Sequence, residues 1–212
     1  MEGSATLEQI CSALNLEKGG TISEYLEDLV ETSYIVRDHT WNIKDGKESN
    51  LCKFRLKDNY LRFYLKYIEP KRTQIEKNRV VVPPSWTTVM GLQFENLVLN
   101  NFHRDYELLG IDPGEVIYDN PYFQRPTKTH SGCQVDYMIQ TRFNTLYICE
   151  IKFSKEKIGL SVVKEIKQKI DRLATPKKFS IHPVLIHVNG VTDEVIESDF
   201  FAKIIDFSQF LN

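Results

Sequence analysis

Gly132-Cys133-Gln134-Val135-Asp136-Tyr137-Met138-Ile139 and, after a short turn from Thr141 to Thr145, Leu146-Tyr147-Ile148-Cys149-Glu150-Ile151-Lys152-Phe153 decide the reading of this chain. Side chains alternate faces along a strand, so Glu150 and Lys152 point one way while Cys149, Ile151 and Phe153 point the other. The turn is short enough for an antiparallel hairpin, which brings Asp136, near the start of the first strand, close to Glu150 near the end of the second. A solvated ion pair on an edge strand is the plain alternative for Glu150 and Lys152, worth about 0–1 kcal/mol. The apolar neighbours Tyr147, Ile148, Cys149 and Phe153 argue instead for a central strand.

Two converging carboxylates repel, and in a partly desolvated place both stay ionised only with a cation between them. Oxygen-only ligands with retained waters suit Mg²⁺ or Mn²⁺. Such an ion serves phosphodiester hydrolysis, and leaves Lys152 to orient the nucleophile or neutralise developing charge. A third acid, Glu95, lies within Gly91-Leu92-Gln93-Phe94-Glu95-Asn96-Leu97-Val98, where a lone carboxylate among apolar residues is costly without a partner. A helix-surface acid beside Gln93 and Asn96 is its plain alternative.

Outward from this segment, Trp86 to Phe102 is apolar over a broad face and reads as a helix packed on a sheet. Strands are expected at 115–118, 134–140, 146–153 and 181–188, with a further one at 204–207 and a helix at 160–173 before the 181–188 strand. The order predicts an α/β domain over 85–212, a mixed sheet with flanking helices. Upstream, 6–34 reads as two short helices punctuated by Gly19-Gly20, followed by period-two runs at 34–37, 41–43 and 52–56 with a polar loop at 44–50. That pattern describes a winged helix. Residues 58–68 return to helical spacing up to Pro70, so the first domain is expected over 1–70 and a linker over 71–84, ahead of Pro83-Pro84.

Composition narrows the function classes. Among 212 residues, 27 Lys+Arg oppose 29 Asp+Glu for a net charge of -2, so any nucleic-acid contact must come from a local patch. No apolar run approaches the roughly 20 residues of a membrane helix, and MEGSATLEQI has no signal-peptide pattern. The four dispersed cysteines form no CxxC pair, and the chain reads as cytoplasmic with reduced thiols. The phosphate-binding pattern GxxxxGK[ST] is missing. His130, His182 and His187 have no metal-site spacing and read as ordinary surface or core residues.

Asp136, then Glu150-Ile151-Lys152, with Glu95 on an upstream helix and a basic helix downstream, resembles the PD-(D/E)XK nuclease superfamily, the restriction-endonuclease-like fold. The winged helix, Asp58-Asn59-Tyr60-Leu61-Arg62-Phe63-Tyr64 and Gly91-Leu92-Gln93-Phe94-Glu95 further resemble the C-terminal region of a prokaryotic, archaeal-type ATPase family, in which an NTPase module precedes these two parts. The resemblance implies Glu95, Asp136 and Glu150 as metal ligands, Lys152 as the catalytic lysine, and an ATPase module in cis or trans. Val135 stands where the superfamily's proline would be. Gln168 falls where some members carry a glutamine, with Arg172 in place of a tyrosine four residues on.

Lys164, Lys167, Gln168 and Lys169 follow the supposed catalytic strand and are the expected DNA-backbone contacts, with a solvated helix face as the alternative. The second helix of the first domain carries Glu24, Glu27, Asp28 and Glu31 and is a poor DNA reader; Lys44, Lys47, Lys53 and Arg55 of the wing remain candidates. The leading expectation is metal-dependent hydrolysis of DNA. Its rival is a catalytically silent DNA-binding or interaction module serving an ATPase.

Overall fold

The computed structural model describes residues 3–79, 86–102, 106–128 and 130–211, with side chains described through residue 209. A capping box opens α1 (Leu7–Leu14): the Thr6 hydroxyl accepts from the Gln9 amide N–H at 3.3 Å, and the Gln9 side chain accepts from the Thr6 N–H at 2.8 Å. Helix α2 (Gly20–Glu31) follows, then a hairpin of β1 (Ile35–Asn42) and β2 (Lys47–Leu56). Its loop is shorter than the expected 44–50. The Gly46 N–H bonds to the Asn42 carbonyl at 2.8 Å with Gly46 at φ +62, so the chain reverses early and Lys47 already pairs with Asn42.

Pro70 does not end the helical stretch after the hairpin. Helix α3 (Asn59–Phe63) widens into a π-turn (Tyr64–Ile68), and Pro70 enters the first turn of a 3₁₀ segment (Glu69–Lys71), where a missing N–H costs nothing. Helix α4 (Arg72–Glu76) continues it. The first residues of the expected linker are therefore helical, and its residues 80–84 lie outside the described residues.

Helix α5 (Trp86–Asn101) leads to a five-stranded sheet of order β3 (Val116–Gln124), β4 (Cys133–Thr141), β5 (Thr145–Phe153), β6 (Ser180–Val188) and β7 (Lys203–Asp206). The first three strands are antiparallel neighbours; β5, β6 and β7 run parallel. Helix α6 (Ser161–Arg172) makes the crossover from β5 to β6, and a short α7 (Asp193–Glu197) precedes β7. β3 runs well past the expected 115–118; Pro121 and two register shifts interrupt the alternation that would have marked its second half. Pro121 is tolerated on this outer strand of the sheet, where one side needs no ladder donor.

Both faces of the sheet are covered. Phe94, Val98 and Leu99 of α5, with Phe102 just past its end, pack with Tyr137, Ile139, Cys149 and Ile151 on one face. On the other, Ile170 and Leu173 join Met138, Leu146 and Ile148, while Val162, Val163 and Ile166 pack on Leu185. The hairpin shares this second core: Trp41, 2% exposed, stacks on Tyr118 and meets Tyr122 edge-on, both at 5.2 Å, and donates its indole N–H to Gln140 at 2.6 Å. It thereby covers the sheet's β3 edge. Among the described residues no helix is long and apolar enough to cross a membrane.

Arg55 ties the hairpin to α5. It is buried, and donates to Asp38 at 2.8 Å, to Asn96 at 2.5 Å and to Asn100 at 2.8 Å. Arg55 is thus a strut rather than a wing residue free to meet DNA. Lys53 likewise turns inward, donating to Gln134 at 3.1 Å with its ammonium 4.9 Å from the centre of the Phe123 ring.

Truncating Trp41 to Ala should lower unfolding free energy by roughly 3–5 kcal/mol, the cost of emptying a large buried site. Urea denaturation measures it; a loss under about 1 kcal/mol would show that the hairpin is not part of the sheet's core.

Candidate active site at the β4–β5 split

The β4–β5 ladder pairs Tyr137 with Cys149 and Gln140 with Leu146. Continued by one residue, the same register sets Asp136 opposite Glu150, where the strands stop exchanging backbone bonds. The Asp136 carboxylate instead accepts the Ile151 N–H at 2.9 Å, so a side chain ends the ladder and holds the two acids together. Strand alternation puts Glu150 and Lys152 on the α6 face of β5, as expected, and β5 is the central strand.

Glu150 is 2% exposed, and the surrounding cations explain how a carboxylate survives there. Lys169 of α6 donates to Glu150 at 2.5 Å and to Asp136 at 3.3 Å; Lys152 lies 3.1 Å from the other Glu150 oxygen and donates to Glu165 at 2.8 Å. Two carboxylates and two ammonium groups thus form one network, with Glu165 on its outer rim. Sequence reading assigned Lys169 to phosphate contact and passed over Glu165. Their i, i+4 spacing on α6 was the available signal, since it places both on the helix face turned to β5.

Burial pushes the Glu150 carboxyl above its ordinary pKa, and repulsion from Asp136 adds to this against the pull of Lys169. Asp136 is raised for the same first reason, with Glu95 adding to it. For Lys169 and Lys152, burial pulls the pKa down, but the neighbouring carboxylates outweigh it and hold both above the ordinary lysine value. Both lysines are cations throughout the neutral range.

Glu95 approaches from α5. Burial raises its pKa, opposed first by Arg62 and then by Arg55 and Lys169. It borders a cavity of about 190 Å³ between hairpin and sheet, with Arg62, Lys53, Phe123 and Gln134 on the wall. The structure therefore brings Asp136, Glu150, Lys152 and Lys169 into contact, with Glu95 within electrostatic reach. Among the described residues no three His, Cys, Asp or Glu side chains converge closely enough to hold a metal ion.

Other expected contacts lie outside that network. Lys164 and Gln168 are exposed on α6, and the Lys167 ammonium sits 5.2 Å from the centre of the Phe200 ring. His187 is a core residue: it pairs in register with Lys152, burial lowers its pKa, and Asp206 is its 4.0 Å neighbour.

No family model matches this sequence, and no curated protein matches it. One solved structure, a repair endonuclease from Pyrococcus abyssi, is similar over 52% of this chain at 16% identity and a TM-score of 0.34. The chain spans 43% of that protein's length, and a likeness at this level assigns neither fold nor activity.

Replacing Lys169 by Met should cost about 3 kcal/mol at neutral pH, because two buried carboxylates then share Lys152 alone. Their folded-state pKa values rise further above the unfolded ones, so the folded protein takes up protons as pH falls from about 7 towards 5 and the deficit shrinks. Denaturation at both pH values measures it. A deficit unchanged between them would show that Lys169 does not neutralise the pair.

Proposed function

We propose that the chain carries a restriction-endonuclease-like nuclease domain and hydrolyses phosphodiester bonds in DNA with Mg²⁺ or Mn²⁺. The observation that carries this reading is the meeting of Asp136 and Glu150 where the β4–β5 ladder ends, with Lys152 two residues along on the same face. The donor chemistry fits a hard cation: the acids are oxygen-only ligands, burial raises both pKa values, and an ammonium group already lies against both. Asp136 and Glu150 would hold the ion once the Lys169 side chain swings away, and Glu95, which does not converge with them in this structure, would have to move in from α5 to serve as third ligand. When bound, such an ion polarises a phosphoryl oxygen and lowers the pKa of its water.

Lys152 has a distinct task. Its raised pKa keeps it protonated, so it does not act as the base; it presents a fixed positive charge to the oxyanion that develops at phosphorus. Glu150 holds one side of that ammonium while Glu165, which is exposed, competes for it at the rim. Lys164, Lys167 and Gln168 would follow the DNA backbone along α6, joined by Lys169 after its displacement. The helix pair and hairpin of the first third are read as a winged helix, serving as a connector to an ATPase module in cis or trans.

One observation favours a second reading. Lys169 and Lys152 already neutralise the carboxylates, as expected of a silent DNA-binding or interaction module with an internal ion network.

Single-turnover cleavage of labelled single- and double-stranded DNA with Mg²⁺ or Mn²⁺, alongside Mn²⁺ calorimetry, separates the two. On the nuclease reading, Lys152→Ala loses roughly 10²–10³ in cleavage while still binding Mn²⁺. Asp136→Asn and Glu150→Gln lose both. A parent protein that neither binds Mn²⁺ nor cuts would establish the silent module.

A further inference from the structure

From Asn59 to Glu76 the chain is helical in four consecutive pieces, and none of their residues is buried. Yet the stretch contains Tyr60, Phe63, Tyr64, Leu65 and Tyr67. Tyr60 is 69% exposed, Leu65 43%, and Trp86, which meets Phe63 edge-on at 6.0 Å, 36%. Apolar exposure concentrated this way marks a binding face.

Phe63 is the ring that meets α5, through Trp86, and polar contacts dock the rest of the segment. Asn59 and Gln93 exchange side-chain to backbone bonds at 3.1 and 2.6 Å, and Arg62 donates to the carbonyls of Leu92 and Gly3 at 3.2 and 3.1 Å. These contacts set the segment on α5 and leave Tyr60 exposed, with Tyr64 and Tyr67 half-buried beside it. There the rings adjoin in pairs, Tyr60 with Tyr64 at 6.1 Å and Phe63 with Tyr67 at 5.7 Å, each tilted by about a third of a right angle. The π-turn carries one ring of each pair, Tyr64 and Tyr67, and such a distortion recurs at functional sites.

Cations lie among these rings. The Lys66 ammonium is 5.5 Å from the Tyr67 centroid, and Arg72, also paired with Glu76 at 3.0 Å, is within electrostatic reach of Tyr64. Rings flanked by cations match one ligand chemistry: unpaired bases, each with a π-face, joined by phosphates. A duplex hides those faces in its own stack.

We propose that Tyr60, Tyr64 and Tyr67, with Lys66 and Arg72, form a stacking platform for single-stranded nucleic acid on the outer side of α3 and the π-turn. The choice of polymer rests on the phosphodiester reading of the Asp136 site. The route between the two is short in the fold: Arg62 of α3 is the cation that acts most strongly on Glu95, and Leu92 and Gln93, which anchor the segment, lie in the same helical turn as Glu95.

The test is fluorescence anisotropy of a labelled oligothymidylate of about 16 nucleotides on the full chain, with chelator present so that no cleavage interferes, against a hairpin duplex of similar length. Tyr60→Ala and Tyr64→Ala should each weaken single-strand binding roughly tenfold, and Tyr60→Phe should keep it within about twofold because the ring remains. Lys66→Gln should weaken it and flatten its salt dependence. Tyr60 is exposed and Tyr64 half-buried, so each variant is melted beside the parent; if either melts lower, Lys66→Gln decides alone. Affinity unchanged in the tyrosine variants, or duplex bound as tightly as single strand, overturns the platform and leaves the face to a protein partner. Tyrosine-dependent binding by a protein that cuts nothing supports the platform and defeats the nuclease reading. Cutting that ignores the tyrosines does the reverse.

Discussion

A carboxylate buried in the middle of a sheet must be neutralised, and Glu150 on β5 imposes that requirement on everything around it. β5 is where the sheet changes from antiparallel to parallel pairing, so it has β4 on one side and a crossover helix over its face. β4 contributes a second acid, Asp136, whose own burial deepens the need for positive charge. The crossover contributes Lys169, and β5 itself contributes Lys152. If α6 were turned by a third of a revolution, Lys169 would leave the pair and the two acids would share Lys152 alone.

The same economy governs the join between the first third and the sheet. Arg55 is another buried charge, and its guanidinium is satisfied by one carboxylate and two asparagines drawn from β1 and α5. Asn96, adjacent to Glu95, also donates to the Lys57 carbonyl and to Asn59. This network sets how α5 lies against the hairpin, and with it the approach of Glu95 to the Asp136 and Glu150 pair. Trp41 acts from the other side by covering β3. Residues far from the carboxylates in sequence thereby hold the geometry of the site.

Much of this was legible beforehand. Period-two alternation in 146–153 and the short turn before it were enough to place Glu150 and Lys152 on one face and Asp136 opposite, since those relations follow from local geometry and hairpin closure. Helices α1, α2, α5 and α6 follow from spacing and caps. β3 was partly missed, because Pro121 and its bulges break the alternation that marks a strand. The length of the helical stretch past Pro70 was missed because a proline can open a new turn as readily as end one.

The sequence by itself determined most of the elements, the faces of β4 and β5, and the acids and lysine that share one of them, because each depends on neighbours a few residues away. Only the tertiary structure decided which cation faces which acid. Lys169 is one of several lysines on α6; its i, i+4 spacing puts it on one helix face with Glu165, but the angle at which α6 crosses β4 and β5 decides what that face meets. Arg55 differs from the other cations of the hairpin for the same reason, since its burial depends on α5, some forty residues away. Long-range packing chooses among chemically equal side chains, and that choice is a property of the folded chain alone.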